Sequence, residues 1–234
     1  MFKDKMKAVT FSFDDGVIED IKVMDIFNKY GLKGTFNINS ECLGVSGEIA
    51  NKEGIVIPHI RVKKEDLKSV YQGHEVAAHT LTHENLRLLD DDKEVIRQVE
   101  QDRLNLSEIL GYEVVGLAYA SASPNNDERV ARLVKENTNI KYARDTYRTG
   151  TFDIWEDKYR FRGTAYHTEF EKLYELADEF IALKPDAPKL FYIWGHSYEL
   201  SYYPDLFKKF EDFCKYISGK EDIFYGTNKE VLVD

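Results

Sequence analysis

The sequence predicts an α/β protein built on a parallel β-sheet. Short β-rich runs alternate with helical patterns along the whole chain, and no repeat or low-complexity tract interrupts them. One late run is apolar enough to be buried on both faces of a sheet. The pattern does not decide between a barrel and an open sheet, but in both cases ligands bind where the strands end. The predicted strands are Lys7–Phe13, Lys33–Asn39, His74–Ala78, Val114–Tyr119, Ile140–Arg144, Lys189–Gly195 and Asp222–Tyr225.

The first two strands flank a predicted helix. Lys7–Phe13 is rich in β-branched and aromatic residues, as strands are. Apolar residues recur every three positions over Ile18–Tyr30, which indicates one buried helical face, and Gly31 suits the position after a helix end. Lys33–Asn39 follows as the second strand. Glu41–Pro58 shows no periodicity and is predicted as a surface loop that could act as a lid.

The middle of the chain repeats this alternation. Lys63–Gln72 is predicted as a polar helix closed by Gly73, and the third strand follows it. Asp90–Leu110 is the longest predicted helix. Its three leading aspartates, Asp90–Asp92, lie where the helix dipole favours carboxylates, so we interpret them as helix-start residues rather than a metal site.

The chain after residue 120 contributes three predicted strands and three predicted helices. Thr168 and Glu171 have the spacing of a capping box, which predicts a helix that begins there and ends at Leu183. Lys189–Gly195 is the strand that is apolar on both faces. The other predicted helices after residue 120 are Asn126–Glu136 and Asp205–Ile217.

Composition limits the possible classes of protein. The chain has 234 residues, of which 43% are hydrophobic and 13% aromatic, so it is long and apolar enough to form a core. It carries 42 acidic against 32 basic residues, a net charge of −10, which argues against nucleic acid as a partner. We expect residues 1–234 to form a single domain.

Location can also be estimated. No apolar run reaches the roughly 18 residues of a membrane span, and the chain begins with a short polar arm that leads into a strand. The two cysteines, Cys42 and Cys214, are too few for a disulfide framework and are predicted as buried thiols. We therefore expect a cytoplasmic protein, unless a leader segment has been removed.

Two carboxylates follow the first strand. Asp14 and Asp15 come directly after Phe13 and are followed by Gly16, at the end of the sheet where ligands bind. Because adjacent side chains diverge, one carboxylate could bind a metal ion while the other acts as a base. An ordinary turn between a strand and a helix would have the same residues.

Two histidines follow the third strand. His79 and His83 lie four residues apart in the run HTLTH, a spacing that lets two imidazoles meet one ion. Imidazole and carboxylate ligands together suit zinc, and also cobalt, nickel or iron. The alternative is two unrelated surface histidines.

A further histidine, His196, directly follows the buried strand Lys189–Gly195. A histidine at this place could protonate a leaving group, although a plain loop histidine is equally compatible with the pattern. Together the ends of three strands would supply two histidines and one aspartate for a metal ion, with a second aspartate and a third histidine as base and acid. This set of groups is what metal-assisted hydrolysis of an acyl bond requires.

The same residues resemble the motifs of the polysaccharide deacetylase family, the chitooligosaccharide deacetylase (NodB) homology domain. The run TFSFDDG, which ends at Gly16, is similar to the family's TFDDG motif, and His79–His83 matches its H-[ST]-x-x-H motif. Leu190–His196 is similar to the late motif of a strand followed by a histidine. The resemblance spans nearly the whole chain and implies a distorted or incomplete (β/α)7–8 barrel with parallel strands.

The resemblance also implies roles for these residues. Asp15, His79 and His83 would bind a divalent metal ion, with Zn²⁺ as the first candidate and Co²⁺, Ni²⁺, Fe²⁺ or Mn²⁺ as others. Asp14 would be the general base and His196 the general acid. The reaction implied is removal of an acetyl group from an N-acetylated sugar or a short glycan.

The chain departs from the family's third motif, whose arginine orients the base. That arginine falls on Ala118, and no arginine lies within the stretch 117–124. We expect Arg144, at the end of the fifth strand, to take its place. Tyr119 and Ser121 fall in the same stretch and are predicted to contact substrate, Ser121 through its backbone N–H in the oxyanion hole.

The family's fourth motif has an aspartate and a tryptophan close together, and Asp153 and Trp155 are the candidates for substrate contact here. Two other functions remain open. The first is the same metal-dependent chemistry on a non-glycan amide or a cyclic imide, which the altered third motif favours. The second is a catalytically inactive, carbohydrate-binding barrel.

Overall fold

A computed structural model describes residues 2–234 of the chain. Its main sheet has nine strands, and every pair of neighbours runs parallel, as the alternating pattern predicts. The strands are β1 (Lys7–Asp14), β2 (Gly34–Ile38), β3 (Ser46–Ala50), β4 (Val56–Ile60), β5 (Glu75–Ala78), β6 (Gly116–Ala118), β7 (Tyr142–Arg148), β8 (Phe161–Gly163), β9 (Ala165–Tyr166), β10 (Lys189–Gly195) and β11 (Ile223–Tyr225). The α-helices are α1 (Asp20–Tyr30), α2 (Leu67–Val70), α3 (Asp92–Leu110), α4 (Glu128–Asn137), α5 (Phe170–Ala182), α6 (Leu206–Ile217) and α7 (Asn228–Leu232).

The main sheet curls into a distorted barrel. Its order is β8-β7-β6-β5-β2-β1-β10-β9, with β11 beside β1. The two strands at the ends of this order, β8 and β9, are separated in sequence by Thr164 alone. The backbone N–H of Thr164 donates to the carbonyl of Tyr192 in β10, at 2.8 Å. One short segment therefore joins the two edges of the sheet, and the predicted distorted or incomplete barrel is confirmed.

Strand β1 shows how the sequence builds both sides of the barrel wall. Successive side chains of a strand point to opposite faces. Phe11 lies in the apolar layer under the helices, where its ring centroid is 4.7 Å from that of Phe27 in α1. Thr10 and Ser12 have the opposite orientation and form hydrogen bonds with Asn228. The same alternation turns Asp14, the last residue of β1, towards the polar interior.

The C-terminal helix α7 packs against the polar interior of the barrel, next to Thr10 and Ser12 of β1. Thr227 and Glu230 form the capping box that starts the helix. The first residue of the helix, Asn228, accepts a hydrogen bond from the Thr10 hydroxyl at 2.9 Å and donates to the Tyr192 hydroxyl at 2.6 Å. These bonds satisfy polar side chains that would otherwise be buried at considerable cost.

Four local predictions need correction. The predicted loop Glu41–Pro58 contains most of an antiparallel hairpin of β3 and β4, which forms a separate sheet. The capping box predicted at Thr168 is not formed, because α5 begins one residue after Glu169 and has no side-chain cap. The predicted helix Lys63–Gln72 is a single helical turn preceded by a 3₁₀ turn. Cys214 is buried as predicted, whereas Cys42 is half-buried, and both are free thiols.

Within residues 2–234, no helix combines the length and the apolar character needed to cross a membrane.

Candidate active site

The polar residues predicted at the strand ends line one cleft at the carboxyl end of the barrel. The cleft has a volume of about 400 Å³. Four different strands bring the residues there: β1 ends at Asp14, His79 follows β5, Tyr119 follows β6, and His196 follows β10. The lining residues are Asp14, Asp15, Ile49, His59, Arg61, His79, His83, Tyr119, Ser121, Ala122, Thr146, Trp194, His196 and Tyr198.

Asp15, His79 and His83 bring one ligand atom each to within 4.8 Å of one another. The Nε2 atoms of His79 and His83 lie 3.7 Å and 3.3 Å from Oδ1 of Asp15. This Oδ1 is buried and accepts no hydrogen bond among the described residues. A buried carboxylate oxygen without a donor is unusual, and it lies where two imidazole nitrogens converge. One carboxylate and two imidazoles are a donor set that fits a divalent metal ion.

Hydrogen bonding and burial prepare His79 as a ligand. Its Nδ1 lies 2.8 Å from the carbonyl oxygen of Ala118, to which an N–H must donate, so Nε2 is the atom that faces Asp15. Burial lowers the pKa of His79 to about 4, although the nearby Asp14 carboxylate opposes this shift. The ring is therefore neutral at pH 7, as a metal ligand must be.

Asp15 is ionised at neutral pH. Burial by itself would raise the pKa of its carboxyl group, but the hydrogen bond with His59 and the close contact with the His83 imidazole hold the pKa well below its usual value. Oδ2 of Asp15 lies 3.3 Å from Nε2 of His59, and Oδ1 lies 3.4 Å from a guanidinium nitrogen of Arg61.

Asp14 forms a buried ion pair with Arg144, the residue predicted to replace the third-motif arginine. Nη2 of Arg144 lies 2.6 Å from both carboxylate oxygens, and Asn37 donates to Oδ1 at 2.8 Å. Burial alone would raise the pKa of Asp14, but the charge of Arg144 lowers the pKa below its usual value. The guanidinium of Arg144 is fully buried and lies 4.4 Å from the ring centre of Trp194.

His196 lies beside this pair. Its Nε2 is 4.0 Å from Oδ2 of Asp14, and its Nδ1 is 2.9 Å from the hydroxyl of Tyr166. A carboxylate oxygen of Glu199 lies 3.8 Å from the same Nδ1. The ring is thus oriented from one side and presents Nε2 to the cleft.

Two of the four predicted substrate contacts line the cleft and two do not. Tyr119 and Ser121 line it, and Ser121 has a left-handed backbone conformation with φ +70°. Asp153, in contrast, forms an ion pair with Lys189 at the start of β10, the end of the strand opposite His196. Trp155 lies outside the cleft and stacks on the guanidinium of Arg162, 4.5 Å from the ring centre. The structure therefore does not bring Asp153 and Trp155 to the cleft.

Sequence reasoning missed two residues that contact Asp15, namely His59 and Arg61. Both are carried by the hairpin, His59 on β4 and Arg61 directly after it, and the predicted loop gave no reason to consider them. The usable signal was the turn sequence Asn51–Gly54, with asparagine and glycine, followed directly by the β-branched run 55–57. His167 is fully buried, with Nε2 2.8 Å from a carboxylate oxygen of Glu199.

The chain matches the model of a known protein family. The family model described as polysaccharide deacetylase matches residues 3–142, more than half of the 234 residues. The chain belongs to the polysaccharide deacetylase family. The match contains the motifs around Asp15 and His79 and ends before Arg144 and His196.

Solved structures of this family share the fold of the chain. A probable polysaccharide deacetylase from Pseudomonas aeruginosa PAO1 superposes with a TM-score of 0.67 at 14% identity, over 98% of this chain and 90% of that one. The CE4 domain of a multidomain xylanase from the hindgut metagenome of Trinervitermes trinervoides gives a TM-score of 0.59 at 15% identity, over 96% and 89%.

A CE4 family pseudoenzyme from Bacillus anthracis is also similar. Its TM-score is 0.54 at 15% identity, over 99% of this chain and 66% of that one. The fold therefore occurs in a protein described as inactive as well as in deacetylases, and the activity of this chain must be argued from its side chains. Among curated protein sequences, none matches the chain.

Proposed function

We propose that this protein is a divalent-metal-dependent hydrolase that removes the acetyl group from an N-acetylated sugar or a short glycan. One observation carries the proposal: Oδ1 of Asp15, which accepts no hydrogen bond among the described residues and faces His79 and His83, lies in the same cleft as Asp14 and His196. Ligands for a metal ion, a base and an acid thus face one space. We also propose that residues 1–234 act as one catalytic domain, because the strands that supply these groups span most of the chain.

Asp15, His79 and His83 would hold the cation through Oδ1 and the two Nε2 atoms. When bound, the cation would polarise the acetyl carbonyl and make a water molecule in the site easier to deprotonate. Three protein ligands leave further positions open, which is typical of catalytic rather than structural sites. The donor set admits Zn²⁺ and several other divalent ions.

Asp14 and His196 would move the protons. Asp14, ionised and held by Arg144, accepts a proton from the attacking water as the new C–O bond forms at the acetyl carbon. Nε2 of His196 then donates a proton to the amide nitrogen as the C–N bond breaks, which releases acetate and a free amine. Nε2 of His196 lies 4.0 Å from Oδ2 of Asp14, so the two groups can reach one bound amide.

Two further groups would support this exchange. Arg144 fixes both oxygens of Asp14 and keeps it ionised, and would therefore orient the base. The backbone N–H of Ser121 would donate to the oxygen that becomes negative when water attacks. A backbone donor does not depend on the type of side chain, so the departure from the third motif leaves this role intact.

The walls of the cleft favour a sugar as substrate. Trp194, Tyr119 and Tyr198 supply aromatic surface on which a sugar ring could pack. A second cavity of about 510 Å³ shares Ile49 and Tyr198 with the cleft and is also lined by Tyr202 and Tyr203. A second sugar unit attached to the acetylated one would have room there.

The test is acetate release from N-acetylglucosamine and its short oligomers. The enzyme would be treated with a chelator and then reloaded with Zn²⁺ or Co²⁺ in separate samples. We expect release only from reloaded enzyme, with higher rates for oligomers than for the monomer.

Absence of release from enzyme that binds one metal ion per chain would reject these substrates and favour another amide or imide. Enzyme that neither binds metal nor releases acetate would reject the assignment of Asp15, His79 and His83.

A further inference from the structure

The β3–β4 hairpin is attached to the loop that carries Asp15. The backbone N–H of Ile18 donates to the carbonyl of Ile60 at 2.9 Å, and that of Val62 donates to the carbonyl of Gly16 at 2.8 Å. Although the hairpin lies outside the barrel sheet, backbone hydrogen bonds join its base to the residues that follow Asp15.

Arg61, at the base of the hairpin, connects both loops that carry the proposed metal ligands. Its Nη1 donates to the backbone carbonyl of Asp15 at 2.5 Å and to Oδ1 of Asn39 at 2.6 Å. Asn39 in turn donates through Nδ2 to the carbonyls of His79 and, at 2.7 Å, of Thr80. One guanidinium and one amide thus join the Asp15 loop to the loop of His79 and His83.

These hydrogen bonds act on strained backbone. Asp15, Thr80 and His83 have φ values of +87°, +65° and +66°, in the left-handed region that residues with a Cβ rarely adopt. Such conformations are energetically unfavourable and persist only where surrounding contacts hold them. The carbonyls of Asp15 and Thr80 are two of the groups that Arg61 and Asn39 hold.

His59 acts on the Asp15 side chain. Its Nε2 lies 3.3 Å from Oδ2 of Asp15, and because an ionised carboxylate can only accept, the histidine must donate. This contact occupies Oδ2 and leaves Oδ1 directed at His79 and His83. The imidazole of His59 packs edge-on against Tyr198, 5.0 Å between ring centres, which restricts its own movement.

We propose that His59 and Arg61 are positioning residues of the metal centre. They supply no metal ligand themselves. His59 directs Oδ1 of Asp15 towards the two histidines, and Arg61 holds the two ligand loops in register through Asn39. The inference rests on the metal site of the proposed function, and it assigns part of the affinity for the cation to a hairpin that carries no metal ligand.

The positive charge of Arg61 should have an effect on metal affinity opposite to that of its hydrogen bonds. Its Nη2 lies 3.4 Å from Oδ1 of Asp15, so the guanidinium and a bound cation would repel each other. If repulsion were the larger effect, removing Arg61 would tighten metal binding. The proposal requires the opposite result, because positioning must outweigh repulsion.

The experiment is calorimetric titration of metal-free enzyme with Zn²⁺, together with the visible spectrum of the Co²⁺-loaded protein. The variants are His59→Ala, His59→Gln, Arg61→Ala and the control Arg87→Ala. Arg87 is a half-exposed arginine whose Nε lies 3.9 Å from Asp127. We expect His59→Ala and Arg61→Ala to lose about 10- to 100-fold in Zn²⁺ affinity, with a changed Co²⁺ spectrum. Arg87→Ala should match the wild type.

His59→Gln separates positioning from general stability, because its amide keeps a donor near the place of Nε2. We expect it to recover most of the affinity and the wild-type Co²⁺ spectrum. Circular dichroism of the metal-free variants checks that each is folded. Equal affinities in folded wild type, His59→Ala and Arg61→Ala would overturn the inference, as would tighter binding by Arg61→Ala. A wild type that binds no metal would instead contradict the proposed function.

Discussion

The two halves of the cleft hold their charged groups by different means: the half proposed for proton transfer contains Asp14 and His196, and the half proposed for metal binding contains Asp15, His79 and His83. In the proton-transfer half, Asp14 ends a regular strand and is fixed by one fully buried arginine, Arg144, which contacts both of its oxygens. In the metal half, Asp15 lies in a loop with a left-handed backbone and is surrounded by several weaker contacts, those of His59 and Arg61 among them.

The difference follows from what each group must do. A base needs a fixed position and a stable negative charge, and a buried ion pair supplies both. A metal ligand must leave one oxygen free, so its loop is held through backbone carbonyls and the second oxygen instead. Changing a single side chain of the proton-transfer half should therefore abolish most of the rate of acetate release. In the metal half, each single change should lower the affinity for the metal ion only in part.

The largest effect is expected for Asp14→Asn. The amide keeps the shape of the side chain but cannot accept a proton, so we expect acetate release to fall by about 10³-fold. Zinc affinity, measured by titration, should stay at the wild-type value because Asp14 is not a proposed ligand. A variant with near wild-type rates would remove Asp14 as the base, and one that loses zinc would show that the two halves are not separate.

Arg144→Met tests the ion pair itself. The substitution leaves the Asp14 carboxylate buried without its partner, which should lower the free energy of unfolding by about 3–5 kcal/mol. The misplaced base should reduce the rate about 10²-fold, with little change in metal affinity. Urea denaturation and initial rates measure the two effects.

The double variant Asp14→Asn/Arg144→Met is the control, because it contains no unpaired charge. We expect it to recover much of the stability lost in the single variant while remaining inactive. If the losses of stability simply add, the two side chains are not coupled and the buried-pair argument fails.

A smaller effect is expected from Tyr166→Phe. The change removes the hydroxyl that contacts Nδ1 of His196 at 2.9 Å and leaves the ring in place. One lost hydrogen bond corresponds to about a tenfold decrease in the rate of acetate release. Tyr216→Phe, an exposed tyrosine outside the cleft, is the matched control. An unchanged rate in Tyr166→Phe would indicate that the position of His196 does not depend on this contact.

Where the sequence predicted the site well, the reason is the geometry of parallel strands. Strand ends meet at one edge, so residues that directly follow apolar runs, such as Asp14, His79 and His196, lie together in the structure. The same argument predicted that Arg144 lies near Asp14, and the two side chains are in contact although they are 130 residues apart in sequence.

The failures have physical reasons as well. Asp153 was assigned by its place in the chain order, but its segment returns to the start of β10, away from the cleft. The hairpin was missed because most of β3 is exposed, so its sequence lacks the alternation that a half-buried strand shows. Because no strand was predicted there, nothing in the sequence pattern indicated that His59 and Arg61 lie near Asp15. Helix α7 has five residues, too few for a helical pattern to be visible.

The smallest effect on rate is expected at a residue that joins the two halves, Asp20. It begins α1, just after the Asp15 loop, and accepts hydrogen bonds from Ser197, next to His196, at 2.5 Å and from Tyr71 at 2.7 Å. Burial raises the pKa of Asp20 to about 8, even though the hydrogen bonds from these hydroxyls oppose the shift.

This shift gives stability a defined dependence on pH. The folded state keeps a proton on Asp20 that the unfolded chain releases near pH 4, so the contribution is complete below about pH 4 and is lost as pH rises towards 8. We expect the melting temperature of Asp20→Asn to rise relative to the wild type between pH 5 and pH 8, with no change in the rate of acetate release at a fixed pH. Asp25→Asn, an exposed position on the same helix, should show neither effect. A constant difference in melting temperature between the two proteins from pH 5 to pH 8 would mean that Asp20 is ionised throughout this range. Ser197 and Tyr71 would then donate their hydrogen bonds to a carboxylate rather than to a neutral acid.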